Sequence, residues 1–302
     1  MRGTVYRLLC MIAAMFPASI LMAQSTQKVS IQVQDNLVRM SAFINGKRVS
    51  AVLDSGTGGL LLDLKTSKRL GLKSSGATVE GVGGGHGQQG LFPIGVRYAE
   101  VGGLKLSNIK AYSSNLDRLE KSSGFPIEAL FGYPVFENIV VSVNYPAKTV
   151  EFDSPGEAAV CQNPIPIKLV SNTPVVDVLI RPQHGDEPVR LHLIVDLGTR
   201  HYAAMLGGPF LSSVAGKKMM ARGKVDQIGT GIGGAIEGEV VTVAQINIGE
   251  HVYRNLKIGM TSHVKAFGLP SIDGALGVPL WIAGTITFDY KHNRLCLPAQ
   301  VR

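Results

Sequence analysis

Two acidic residues stand out by what surrounds them. Asp54 ends an apolar, β-branched approach (Val49, Ala51, Val52, Leu53) and is followed by Ser55, Gly56 and Thr57. Asp196 ends a second approach, Leu193-Ile194-Val195, and is followed by Leu197, Gly198 and Thr199. A glycine two residues after a carboxylate lets the backbone turn sharply and come close to it. The flanking hydroxyls can donate to that carboxylate or hold the loop. One Asp-Ser-Gly after a strand is most simply a turn. Two such loops suggest more, because two carboxylates brought together cannot both ionise cheaply and share a proton. Such a pair can accept a proton from water while donating another.

The elements around these loops recur as well. Asp54 and Asp196 are 142 positions apart, and the glycines that end Ile127-Glu128-Ala129-Leu130-Phe131-Gly132 and Ile272-Asp273-Gly274-Ala275-Leu276-Gly277 are 145 apart. Each half then closes on a hairpin-like pair, residues 141–145 with 150–152 and residues 286–290 with 295–297. A near-constant offset over three landmarks indicates internal duplication. Asn45-Gly46 is a type I′ hairpin signal between strands over 37–44 and 48–53, feeding directly into Asp54. Strands over 175–181 and 189–195 feed Asp196 in the same way. Further strands are expected over 28–33, 92–101, 106–112, 139–143, 238–248 and 251–258. Residues 60–70 read as a short helical turn or a strand with a turn, stopped by Gly71. Many short strands separated by turn residues indicate an all-β chain.

On these motifs the chain resembles the aspartic proteases of the pepsin and retropepsin superfamily, in a bacterial form with two fused retropepsin-like lobes. That family carries Asp-[Thr/Ser]-Gly-[Ser/Thr/Ala] in each lobe, then two apolar residues and Gly. Asp54-Ser55-Gly56-Thr57 with Leu130-Phe131-Gly132 matches throughout, and Asp196-Leu197-Gly198-Thr199 with Ala275-Leu276-Gly277 departs only at Leu197. The resemblance implies an all-β, bilobal acid-protease fold with a cleft between similar lobes of six to eight strands. It implies lobes over 24–157 and 158–302, with Asp54 and Asp196 as a catalytic dyad, an arrangement for which these proteases are the familiar example. Ser55, Gly56, Thr57, Gly198 and Thr199 would support it, and Ser55 would lock the two loops together. Leu197 has no hydroxyl, so one arm of that interlock is expected to be missing. The glycine-rich stretch over 80–90, with Gly83, Gly84, Gly85 and His86, takes the place of a flap, answered by 229–235 in the second half. Neither tip has the tyrosine that pepsin-like flaps usually carry. Arg200 follows the second motif. Pointing inward, it would favour ionisation of both aspartates; pointing outward, it would change little.

Composition bounds the other readings. With 302 residues, 45% hydrophobic and 17% charged, the chain can build substantial cores and is not disordered. Arg2, Arg7 and the broken apolar run over 8–22 read as a signal peptide over residues 1–23, so a secreted or periplasmic protein is expected, with no membrane insertion once it is removed. Two cysteines then remain, Cys161 and Cys296, either a disulfide or two buried thiols. The net charge of +8 is scattered rather than striped, which argues against nucleic-acid binding. The seven histidines are dispersed without metal-ligand spacing, so neither a metal nor a cofactor is expected. No Gly-x-Ser-x-Gly elbow is present, and the 80–90 stretch lacks the Gly-Lys-Ser/Thr of a phosphate loop. Two function classes remain. One is an aspartic endopeptidase acting on peptide or protein substrates as a monomer. The other is a catalytically inactive binding or envelope-structural protein on the same fold. The persistence of both aspartates favours the enzyme, since burying a carboxylate at an interface is costly without a use for it.

Overall fold

The computed structural model describes residues 26–74, 76–81, 84–85, 89–156, 161–264 and 272–299. The expected signal peptide, the junction at 157/158, and Gly83 and His86 lie outside them. The described residues are mostly β, in three sheets. One sheet of ten strands, with Gln32–Gln34 joined at its side, runs only through the first half. One of eight strands runs only through the second. A third, of six strands, takes Gln27–Ser30, Val140–Asn144 and Thr149–Asp153 from the first half and Ile165–Pro166, Thr285–Asp289 and Arg294–Cys296 from the second.

The local reasons are readable in the residues. Asn45 and Gly46 both have positive φ, 48° and 81°, as a type I′ turn requires, and they join Leu37–Ile44 to Lys47–Leu53. Leu37–Ile44 and Thr149–Asp153 largely alternate buried and exposed residues, the mark of a strand with one face on a core. Residues 60–70 hold both expected alternatives, the strand Leu60–Asp63 and then the helix Leu64–Leu70. Asp63 caps that helix by accepting from Lys65 N and Thr66 N, and Gly71 ends it at φ 72°.

Several expected strands are divided. Residues 28–33 split at buried Ile31, whose N–H donates to Lys148 O, so the chain passes from the shared sheet to the ten-stranded one. Residues 92–101 split into Gln89–Ile94 and Tyr98–Val101 because the Asn45 side chain accepts from Arg97 N and Tyr98 N. The first half carries the ten-stranded sheet, the second the eight-stranded one, and the six-stranded sheet is common to both. Phe136, Phe288 and Tyr290 pack across the halves on that shared sheet, with ring centroids 5.2 Å apart for Phe136 with each of the others. Cys161 and Cys296 form a disulfide, with Cα atoms 6.1 Å apart.

One topological device appears in both halves. Ala129–Phe131 inserts between Lys47–Leu53, to which it is parallel, and Leu60–Asp63, to which it is antiparallel. Gly274–Leu276 inserts in the same way between Val189–Val195 and Ala204–Leu206. Each insertion places the loop after its aspartate at the edge of a tight junction, with Asp54 N donating to Phe131 O and Asp196 N to Leu276 O.

Candidate active site

The two inserted strands explain the glycines that end the later motifs. A Cβ on Gly132 would lie 1.8 Å from Thr57 O, and one on Gly277 would lie 2.2 Å from Tyr202 O. Only glycine lets these segments press against the aspartate loops. Tyr133 N then donates to Thr57 O and Val278 N to Thr199 O, so each loop is held from behind by main-chain hydrogen bonds.

Within each loop the carboxylate is held by the residues that follow it. Gly56 N donates to Asp54 Oδ1 at 2.9 Å and Thr57 Oγ1 to Asp54 Oδ2 at 2.8 Å. Gly198 N donates to Asp196 Oδ1 at 2.7 Å and Thr199 Oγ1 to Asp196 Oδ2 at 2.8 Å. The loops also face one another. A Cβ on Gly56 would lie 2.5 Å from Asp196 Oδ1, and one on Gly198 would lie 3.3 Å from both Asp54 oxygens. Asp196 Oδ1 and both Asp54 oxygens thus lie within 3.3 Å of one point beside Gly198. Burial first, and the neighbouring Asp196 charge second, push the Asp54 carboxyl up to about 7, against the opposing effect of the Thr57 and Gly56 hydrogen bonds.

Ser55 bridges the halves in both directions. Its hydroxyl donates to Val195 O at 2.8 Å and accepts from Leu197 N at 3.0 Å. Ser55 thus makes the arm of the interlock expected of it, and the Leu197 side chain makes none in return. Leu197 is fully buried in the apolar core.

Arg200 takes neither of the simple alternatives. It is buried and lines the cleft, yet its guanidinium pairs with Asp35 and donates to Ser122 Oγ at 2.8 Å. Burial lowers its pKa and Asp35 raises it, and Arg200 is not among the groups shifting Asp54. His201 also turns to Asp35, with its Nε2 2.8 Å from Asp35 Oδ1. The sequence reading missed Asp35, and Asn36 beside it, whose Nδ2 donates to Arg200 O at 2.7 Å. In the other half Asn172 Nδ2 donates to Gly58 O at 3.2 Å. A signal for both was present: Asp35-Asn36 and Ser171-Asn172 are polar pairs just before a strand of each hairpin, and all four residues have positive φ.

The aspartates lie on a cavity of about 360 Å³ with mainly apolar walls. Val52, Leu61, Ile127 and Leu130 wall one side, and Ile194, Met205 and Ala275 the other. Gly84 and residues 229–232 also line it. Here the two glycine-rich stretches meet, with Gly233 N donating to Gly84 O at 2.8 Å and Gly84 bridging to Val264. A Cβ on Gly231 would lie 2.3 Å from Gly84 O. Arg118 Nη1 fixes the second tip by donating to Gly233 O at 2.6 Å. Burial first, and then both carboxylates, raise the pKa of the buried Tyr290 hydroxyl.

Residues 40–135, roughly a third of the chain, match the aspartyl protease family model. Over that stretch the chain is similar to the aspartyl proteases, and its described residues are mostly β, in several sheets. Among solved structures, a retropepsin-like aspartic protease from Rickettsia conorii is similar at 16% identity over 43% of this chain and 92% of that one, with a TM-score of 0.30. No curated protein matches the chain.

Proposed function

We propose that this protein is an aspartic endopeptidase in which Asp54 and Asp196 form the catalytic dyad. The observation that carries the reading is the convergence of the two carboxyl groups at an apolar cleft, with Asp54 raised to about 7. At acid to neutral pH the pair holds one shared proton and titrates as a unit. The ionised partner takes a proton from water as the water oxygen bonds to the scissile carbonyl carbon. The protonated partner gives its proton to the carbonyl oxygen. A proton passed from the pair to the leaving nitrogen, with a hydroxyl proton of the tetrahedral intermediate returning to the pair, then lets the C–N bond break, leaving an acid and an amine.

Gly56, Thr57, Gly198 and Thr199 serve this chemistry by fixing the carboxylates, and Ser55 by fixing one loop against the other. The meeting of Gly84 with Gly231 and Gly233 supports a roof over bound peptide made by both halves. One chain supplies both aspartates, which supports action as a monomer of two related lobes, 24–157 and 158–302. The disulfide between Cys161 and Cys296 and the apolar leader over residues 1–23 favour a secreted or periplasmic setting. Among the described residues no helix is long and apolar enough to cross a membrane.

The test is cleavage of a mixed peptide library by the purified protein from acid to neutral pH, with and without a transition-state-mimicking aspartic protease inhibitor. Cleavage that the inhibitor blocks, and that both Asp54→Asn and Asp196→Asn abolish, is expected. A well-folded wild type that cleaves nothing above background at any pH would point instead to the binding-protein class.

A further inference from the structure

A second feature lies on the hairpin of Leu37–Ile44 and Lys47–Leu53, in a groove that shares no lining residue with the cleft. Ser41 and Ser50 face each other directly across its two strands. Arg39 lies one same-face step from Ser41 along its strand, and Arg48 one same-face step from Ser50 along the other. The two arginines thus flank the serine pair diagonally and fold back onto it. Arg48 Nε and Nη2 donate to Ser41 Oγ at 3.2 and 2.7 Å, and Arg39 Nε donates to Ser50 Oγ at 3.5 Å. Arg39 also donates to Gln34 Oε1 at 3.2 Å and lies 4.7 Å above the Phe125 ring.

These side chains line a groove of about 670 Å³, together with Arg69 and Glu128. Glu128 is already taken by Arg69 Nη2 at 2.6 Å and by Ser50 N at 2.8 Å. Among the described residues, the hydrogen-bond partners of Arg39 and Arg48, by contrast, are neutral. Their guanidiniums are oriented but not neutralised, each with N–H groups to spare, in a chain of net charge +8. A guanidinium fork held this way matches the oxygens of a phosphate or sulfate group.

We propose that this groove is an oxyanion-binding site, taking a phosphate- or sulfate-bearing group, free or on a lipid headgroup, between Arg39 and Arg48. The site stands whether or not the cleft cleaves peptides. Its test is calorimetric titration of the full chain with inorganic pyrophosphate at fixed ionic strength. Alongside go an Arg39→Gln/Arg48→Gln double variant and a Lys217→Gln/Lys218→Gln double variant that removes the same charge from an exposed helix elsewhere.

The expected result is binding by the wild type, equal binding by the lysine variant, and at least tenfold weaker binding by the arginine variant. Arg48→Gln alone, a change at an exposed residue, is expected to weaken binding several-fold and keeps the test usable if the double variant fails to fold. Flotation with phosphatidylcholine vesicles, with and without phosphatidylglycerol, separates the sources. Capture that needs phosphatidylglycerol and Arg48 assigns the headgroup; pyrophosphate binding without capture assigns a soluble anion. No pyrophosphate binding by the wild type, an unchanged affinity in the arginine variants, or an equal loss in the lysine variant overturns the proposal.

Discussion

The Ser55 hydroxyl is donor to one half of a strand-to-loop junction and acceptor from the next residue but one, Val195 O and Leu197 N. Ser55→Ala leaves both buried main-chain groups without it, at about 1–3 kcal/mol each. A stability loss of about 2–6 kcal/mol is therefore expected in thermal or urea unfolding, with cleavage falling further as the carboxylates lose their register. At Asp54 the sign of the pH effect follows from its raised pKa. The folded chain keeps this proton between the ordinary carboxyl value of 3.8 and about 7, where the unfolded chain has lost it. That contribution to stability is complete below the lower value and is lost as pH rises to about 7. The wild-type melting temperature should decline over that interval more than that of Asp54→Asn, and parallel declines would contradict the assignment. Cleavage by a singly protonated pair should likewise fade as pH rises through about 7, which a pH–rate profile measures.

At the scale of elements, the meeting of the glycine-rich stretches makes its own prediction. A side chain at Gly231 would collide with the Gly84 main chain. Gly231→Val should therefore part the two tips and lower cleavage at least tenfold while shifting the melting temperature only a few degrees. A variant of full activity would show that the contact does not matter to substrate. What the sequence made legible here was local. Asn45-Gly46, the two Asp-x-Gly-Thr loops and the glycines after the later apolar pairs each state their geometry within a few residues. The partner of Arg200 was not legible, because it depends on a group far along the chain: Asp35 lies 165 positions away. At Leu197 only the main-chain N–H bonds to the opposite loop, and the side chain packs in the core. Residues 92–101 looked continuous because nothing nearby shows that Asn45 will catch the chain at Arg97 and Tyr98.

At the scale of the molecule, the halves are joined by covalent and main-chain links together. The disulfide closes a 135-residue separation. Its removal in Cys161→Ser/Cys296→Ser should cost about 2–5 kcal/mol, seen as a lower denaturant midpoint that reducing agent does not lower further. The pairing of Val140–Asn144 with Thr285–Asp289 in the shared sheet means that residues 24–157 expressed alone would expose an open strand edge. That fragment is expected to aggregate or self-associate, as size-exclusion chromatography would show. The duplicated motifs predicted matching halves but not this sheet, since short alternating strands do not announce their neighbours. The same sheet also sets a clock. Val140–Asn144 waits for a strand made more than a hundred residues later, and contacts of such separation form slowly. During synthesis and folding, then, the carboxylates would meet only after nearly the whole described chain exists, and a nascent or truncated copy would be harmless to its surroundings until that last pairing is made.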